Sequence, residues 1–221
     1  MKRHIVCLTF DFDGISGFIS RGQTSPSWIS RGEFGPRVGM PRLIGLLQKY
    51  GIKSTWFVPG HTIETFPKEC ETVVAAGHEI AHHGWTHRPP ASLTREQEEG
   101  ELVRGNESIK KLTGRYARGY RSPAWDLSPH SVELFLKHGF IYDSSLMGDD
   151  YTPYYARSGD VIELEQPDQP RHAHPRPEFA ARNPRRRSLA TRDEAGDAVE
   201  VEGQTNNVLR SHDSRLIPRN W

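Results

Sequence analysis

Two carboxylates lie close together near the start of the chain. Asp11 and Asp13 are separated by one residue at the end of a short apolar run, directly before Gly14. Residues two apart in an extended strand point to the same side, so both carboxylates can face one pocket. Such carboxylates can bind a metal ion or act as a general base. For this segment alone, an Asp that caps backbone amides before a turn glycine is an equally good interpretation.

Two histidines four residues apart, His83 and His87, follow a later apolar segment. At this spacing two imidazoles can lie on one face of a helical turn and bind the same metal ion. Such a pair is by itself more often solvated or hydrogen-bonded. With a carboxylate from the first motif it makes three ligands and an open position for water, which is typical of a catalytic zinc centre. His82 would point away from His83 in a continuing strand, so we do not expect it among the ligands.

A third polar motif begins at Arg121 and continues through Pro123 to Trp125. If one carboxylate of the first motif binds the metal, the arginine can pair with the other carboxylate. This ion pair would keep that carboxylate ionised and orient it as a general base. Considered alone, an ordinary ion pair beside a core tryptophan explains these residues better. The three motifs together predict a metal site with an open position for water and a carboxylate base beside it.

The elements that must position these motifs alternate between strands and helices over the first 165 residues, which is typical of a parallel sheet with crossover helices. We predict strands at 4–10, 54–58, 78–81, 118–121, 140–143 and 161–164, and helices at 40–50, 67–76, 94–112 and 128–138. Thr94 and Gln97 have the spacing of a capping box, which predicts where the third helix begins. Residues 29–35 are expected to form a loop over the mouth of the site.

Length and composition limit the class of protein. A chain of 221 residues suits one domain with one core, and a net charge of +1 argues against a protein built mainly to bind phosphates. Two cysteines without a Cys-x-x-Cys pair indicate a reducing compartment rather than a disulfide framework. Neither a signal peptide nor an apolar stretch of about 20 residues is evident, so we expect a cytoplasmic protein that contacts neither membrane nor nucleic acid.

The sequence changes character after residue 165. Arginine and proline are frequent from Gln166 onward, lysine is absent, and no helical or strand periodicity is sustained. We therefore predict a domain at 1–165 and an Arg/Pro-rich tail at 166–221 that is disordered or is not the natural continuation of the gene product. A nucleic-acid patch at Arg185, Arg186 and Arg187 is the weaker interpretation, since charge runs are usually solvated.

The motifs, together with the runs at 54–61, 76–87 and 143–147, resemble the polysaccharide deacetylase family, also called the NodB-homology family or family-4 carbohydrate esterases. The similarity extends from about Val6 to about Leu164 and is greatest to the bacterial branch with peptidoglycan deacetylases and cofactor-independent allantoinases. The resemblance implies an α/β fold, a distorted (β/α) barrel of the NodB type that is incomplete at its C-terminus. Its active site would lie at the carboxyl ends of the strands.

The resemblance also assigns roles to seven residues. It implies a divalent metal, with zinc as the default and cobalt, nickel, manganese or iron as alternatives. The metal ligands would be Asp13, His83 and His87. Asp11 would be the general base, and Arg121 would hold this base in place. Trp125 and Asp143 would line the substrate pocket.

One family element has no counterpart in the sequence. The family takes its general acid from a histidine in a late Leu-x-x-His-Pro motif, and after Leu164 only His174-Pro175 occurs, without a strand pattern before it. Three functions therefore stay open: removal of N-acetyl groups from an amino sugar polymer, hydrolysis of a small cyclic amide or ureide, and a catalytically silent family member. The sequence does not indicate the oligomeric state.

Overall fold

The computed structural model describes residues 5–149 and 152–156. A five-stranded parallel sheet lies at the centre, and its strand order is the chain order. The strands are β1 (Thr9–Asp11), β2 (Thr55–Val58), β3 (Glu79–His82), β4 (Gly119–Tyr120) and β5 (Tyr142–Asp143). Neighbouring parallel strands joined in sequence by helical crossovers are the arrangement of part of a (β/α) barrel. The predicted fold class is confirmed.

Helices connect the strands. They are α1 (Ser16–Ile19), α2 (Pro26–Phe34), α3 (Met40–Tyr50), α4 (Gly60–Thr65), α5 (Pro67–Ala75), α6 (Arg95–Thr113) and α7 (Ser131–Lys137), with a π-helical turn at Gly35–Gly39. The predicted helices at 40–50, 67–76, 94–112 and 128–138 correspond to α3, α5, α6 and α7. Within the described ranges, no helix combines the length and apolar character that crossing a membrane requires.

The helix ends follow local sequence chemistry. At the start of α6 the Thr94 hydroxyl accepts a hydrogen bond from the Gln97 amide at 3.3 Å, and the Gln97 side-chain oxygen accepts one from the Thr94 amide at 3.1 Å. This is the predicted capping box. Helix α6 ends at Gly114 in the left-handed region (φ 80°), where glycine has no side-chain penalty.

The sheet separates two environments. Trp56, Ile80 and Tyr120 point to the outer face, where they join the apolar core with Leu102 and Leu134 from the covering helices. Alternate residues of the same strands point to the inner face, because successive side chains of a strand point to opposite sides. The inner face carries the polar and charged groups of the candidate site.

The predicted loop at 29–35 is wrong, because α2 covers most of it. Pro26 occupies the first turn of α2, where its missing amide hydrogen costs nothing. A Cβ at Gly32 would lie 2.8 Å from the Cα of Ile15, so this glycine allows α2 to pack against the segment after β1 rather than marking a turn.

Several predictions made from the sequence concern residues outside those that the structure describes. They are the sixth strand at 161–164, the end of the first domain at 165, the tail at 166–221, the His174-Pro175 pair and the arginine cluster at 185–187. All of these stay predictions.

Candidate metal centre

Four of the predicted site residues meet at one edge of the sheet. Asp11 ends β1 and Asp13 lies two residues further on, while His83 directly follows β3 and Arg121 directly follows β4. The carboxyl ends of parallel strands lie at the same edge, so strands far apart in sequence bring these side chains together.

Asp13, His83 and His87 converge on one point. The Nε2 atom of His83 lies 3.5 Å from Oδ1 of Asp13, and the Nε2 atom of His87 lies 3.2 Å from Oδ2. One potential ligand atom from each of the three residues lies within 4.8 Å of the others. Two imidazole nitrogens and a carboxylate oxygen suit a zinc-type cation.

The hydrogen bonding of His83 supports a cation at this point. Nδ1 of His83 lies 2.7 Å from the carbonyl oxygen of Arg121, which is only an acceptor, so Nδ1 carries the proton. In a neutral ring Nε2 then presents a lone pair to Oδ1 of Asp13. This oxygen is buried and has no hydrogen-bond partner among the described residues. Two acceptors that face each other are both satisfied by a metal ion, and a backbone carbonyl that fixes the tautomer is common at such sites.

Burial and charge set the protonation of this group. Burial lowers the pKa of His83, and this effect outweighs the nearby Asp13 and Asp11 carboxylates that raise it. Burial raises the pKa of Asp13, but the hydrogen bond from His87 and electrostatic attraction to His83, His87 and Arg21 leave it below its ordinary value. A neutral imidazole and an ionised carboxylate are the forms that bind metal.

The segment between the two histidines is not the helical turn that the spacing indicated. It is an irregular loop in which Gly84 (φ 72°) and His87 (φ 62°) both adopt the left-handed region. Left-handed backbone is unusual for a residue with a side chain. Here it turns the His87 ring back toward Asp13, so the two rings meet through a loop geometry that the spacing did not predict.

Arg121 forms an ion pair with Asp11. Its Nη1 donates to Oδ1 of Asp11 at 2.6 Å, while Nη2 donates to Thr9 Oγ1 at 2.9 Å and Ser144 Oγ at 2.7 Å. The guanidinium also lies over the Phe57 ring, 4.1 Å from its centroid. These contacts on several sides hold a buried arginine in one orientation, and the arginine in turn orients Asp11.

Three of these supporting residues were missed from the sequence. Thr9, Phe57 and Ser144 all point to the inner face. Thr9 lies two residues before Asp11, Phe57 is in register with Asp11, and Ser144 directly follows β5. The signal for Thr9 was available, because it lies two residues before Asp11 on the same strand. The signal for Phe57 required the strand register, which the sequence does not contain.

Asp143 lies on the other face of the sheet from Asp11 and Arg121. It pairs with Tyr120, which pairs with His82 on the outer face. Its two oxygens accept hydrogen bonds from the hydroxyl and amide of Ser145 at 2.6 and 3.0 Å, and burial raises its pKa to about 6. The structure therefore does not bring Asp143 to the other site residues, and its predicted contact with substrate stays a prediction.

Trp125 is 38% exposed in a short 3-10 turn, Pro123–Trp125. Both Ala124 and Trp125 adopt left-handed backbone, with φ of 60° and 54°. An exposed indole after the strand that positions Arg121 is compatible with the predicted substrate wall, which stays a prediction.

His82 lies on the outer face, away from Asp13, His83 and His87. Its Nε2 lies 3.1 Å from the Leu102 carbonyl in α6, and its Nδ1 accepts from the Gly84 amide at 3.1 Å. Complete burial lowers its pKa to about 3. It is a neutral core histidine on the outer face.

Comparisons with known proteins are consistent with this geometry. The polysaccharide deacetylase family model matches residues 1–142. A peptidoglycan deacetylase of Helicobacter pylori is 47% identical over 161 residues, which are 72% of this chain and 55% of that protein. A peptidoglycan deacetylase-like protein of Gibberella zeae is 38% identical over 75% of this chain and 51% of its own length. The chain thus spans about half the length of the curated relatives that it matches.

Solved structures show the same relationship. A polysaccharide deacetylase family protein from Mycobacterium smegmatis superposes with a TM-score of 0.67 at 36% identity, covering 72% of this chain and 56% of that one. An allantoinase superposes with a TM-score of 0.59 at 21% identity, covering 69% and 57%, which shows a shared fold. With the family model matched over more than half of its residues, the chain belongs to the polysaccharide deacetylase family.

Proposed function

We propose that this chain carries the metal centre of a deacetylase that removes acetyl groups from the amino sugars of a peptidoglycan-type polymer. The observation that carries this proposal is the convergence of Asp13, His83 and His87 beside a second carboxylate, Asp11, tethered by Arg121. The relatives named as peptidoglycan deacetylases supply the substrate class.

The two carboxylates have separate tasks. Asp13 contacts both histidines and would hold the divalent metal with them, whereas Asp11 contacts Arg121 and is left to accept a proton from the attacking water. When bound, a divalent metal supplies Lewis acidity toward the amide carbonyl and toward water. Arg121 keeps the Asp11 carboxylate in one orientation, so the proton acceptor is in place before substrate arrives.

The protonation of the histidines suits this division. The carbonyl of Arg121 fixes the proton of His83 on Nδ1, and burial keeps the ring neutral. Arg121 therefore contributes to both halves of the site, because its backbone orients a ligand and its side chain orients the base.

The test measures the metal content of the purified full chain together with acetate release from peptidoglycan and from an N-acetylglucosamine oligomer. We expect about one metal per chain and acetate from at least one polymer, with both lost in His87→Ala. Allantoin is included as a cyclic ureide.

The outcomes separate the remaining functions. Metal and ureide hydrolysis without acetate would replace the proposed substrate class by a cyclic amide. Metal without turnover of any substrate would identify a silent family member. A chain that folds but binds no metal would overturn the metal centre itself.

A further inference from the structure

Glu101, in the middle of α6, contacts the loop between the two histidine ligands. Its Oε2 accepts hydrogen bonds from the amides of Trp85 at 2.8 Å and Thr86 at 2.7 Å, and its Oε1 accepts one from the Thr86 hydroxyl at 2.6 Å. Hydrogen bonds from backbone amides to an ionised carboxylate are shorter and stronger than neutral ones. One side chain thus holds the amides of the two residues directly before His87.

The opposite edge of the loop is held by backbone. The carbonyl oxygens of Gly84 and Trp85 accept hydrogen bonds from the amides of Gly60 at 3.1 Å and His61 at 2.8 Å, at the start of α4. The carbonyls of the loop therefore depend on α4, whereas two of its amides depend on Glu101. Removing Glu101 would release only the second set.

The loop needs this restraint because His87 has an unfavourable backbone. A residue with a side chain persists in the left-handed region only where its surroundings impose that conformation. His87 is in this state with φ 62°. If the preceding amides lost their acceptor, His87 could relax toward a commoner conformation and its Nε2 would leave Asp13.

We propose that Glu101 is a positioning residue of the metal centre: it holds the Gly84–His87 loop so that Nε2 of His87 stays beside Asp13. The effect on metal affinity rests on the proposed function, in which Asp13, His83 and His87 bind a divalent metal. The effect on the loop itself does not require a metal.

The experiment compares the wild type with Glu101→Ala, Glu101→Gln and Glu99→Ala. Glutamine keeps an oxygen for the two amides and an amide group for the Thr86 hydroxyl, so it tests hydrogen bonding without charge. Glu99 is a matched control on the same helix, since its carboxylate contacts Lys137 and His138 instead of the loop. Two quantities are measured: the dissociation constant and visible spectrum of cobalt(II), and amide hydrogen exchange at residues 85–86 in metal-free protein.

In Glu101→Ala we expect about 10- to 100-fold weaker cobalt binding and about 10-fold faster exchange at these amides. We expect Glu101→Gln to stay within about threefold of the wild type in both measurements. Glu99→Ala should match the wild type. Wild-type affinity and wild-type exchange in a folded Glu101→Ala variant would overturn the inference, as would an equal loss in Glu99→Ala.

A second variant and the metal-free measurement cover the cases in which Glu101→Ala does not fold or the wild type binds no cobalt. If Glu101→Ala does not fold, Thr86→Val removes only the hydroxyl bond to Glu101, and an unchanged cobalt affinity and exchange rate in this variant would count against the inference. If the wild type binds no cobalt, the proposed metal centre fails, and faster exchange in Glu101→Ala would still support the hold on the loop. Unchanged exchange would then overturn both.

Discussion

His82 and His83 are adjacent in the sequence and both buried, but they lie on opposite faces of the sheet and have different partners. His82 contacts the backbone of α6 and of Gly84, and its ring stacks on Tyr120 with 5.3 Å between ring centroids. His83 contacts Asp13 and the carbonyl of Arg121. The outer histidine contacts buried backbone groups of the core, whereas the inner histidine contacts a residue of the candidate metal centre. Residue type and burial alone therefore do not identify a metal ligand.

The largest expected effect is the loss of metal from the inner face. In His83→Ala, metal content should fall from about one per chain to near zero, because two ligands do not make a catalytic site. In His82→Leu, metal should remain in the folded protein, while the free energy of unfolding falls by about 2–4 kcal/mol as buried backbone groups lose their partners. Metal analysis and urea unfolding measure both, and a His82→Leu variant that folds without metal would break the comparison.

Asp143 on the outer face offers a test by pH. Burial raises its pKa to about 6 from 3.8, so the folded protein holds this proton more tightly than the unfolded chain. The resulting stability is fully present below about pH 4 and is lost as pH rises through about 6, a change of about 3 kcal/mol. Asp143→Asn has no such proton, so its free energy of unfolding should lack this decrease. The difference between wild type and variant should therefore shift in favour of the variant as pH rises from about 4 to about 6. Parallel dependence of the two free energies of unfolding on pH between about 4 and 7, measured by urea unfolding, would contradict the burial of Asp143.

The Arg121→Lys variant tests whether the candidate site needs the hydrogen-bond geometry of the guanidinium as well as its positive charge. Arg121→Lys keeps the positive charge but cannot bond Asp11, Thr9 and Ser144 at once, so the free energy of unfolding should fall by about 2 kcal/mol. Metal content should be retained and acetate release reduced. The control is Arg95→Lys, at a half-buried arginine that pairs with Glu99 and Glu133 away from the site, and it should alter none of these quantities. Full activity in Arg121→Lys would show that Asp11 needs no tether.

Trp125, in the turn after β4, should give the smallest effect on the fold. Trp125→Ala should change the free energy of unfolding by less than about 0.5 kcal/mol and leave metal content unchanged, because the indole is partly exposed. The KM for acetate release should rise if the indole contacts substrate. An unchanged KM would remove Trp125 from the substrate pocket.

The sequence predicted those elements whose signals are local. Helix α3 has the predicted bounds because Ile44 and Leu47 bury one face and Gly51 ends the helix in the left-handed region (φ 65°). Helix α6 begins where the capping box indicated. Strand β1 is shorter than the predicted 4–10, since only Thr9–Asp11 pair with β2. Which residues of an apolar run find a partner strand is decided by the tertiary fold.

Other features depended on long-range packing. Residues 29–35 were expected to form a loop, but Gly32 allows helix α2 to approach Ile15. The spacing of His83 and His87 indicated a helical turn, whereas Glu101 and α4 hold the segment as an irregular loop. The site itself was largely predictable, because Asp11, Asp13, His83 and Arg121 each lie at or just after a strand end. The opposite placement of Asp143 followed only once the strand register was known.

The agreement between strand order and chain order has a consequence for synthesis on the ribosome. Each new strand can add to an edge that earlier residues have already formed, so none of the five described strands has to insert between two others. Asp13, His83 and His87 all precede α6, whereas the partner that orients Asp11 comes only with β4. The nascent chain therefore contains all three candidate ligands before it contains the arginine that positions the base.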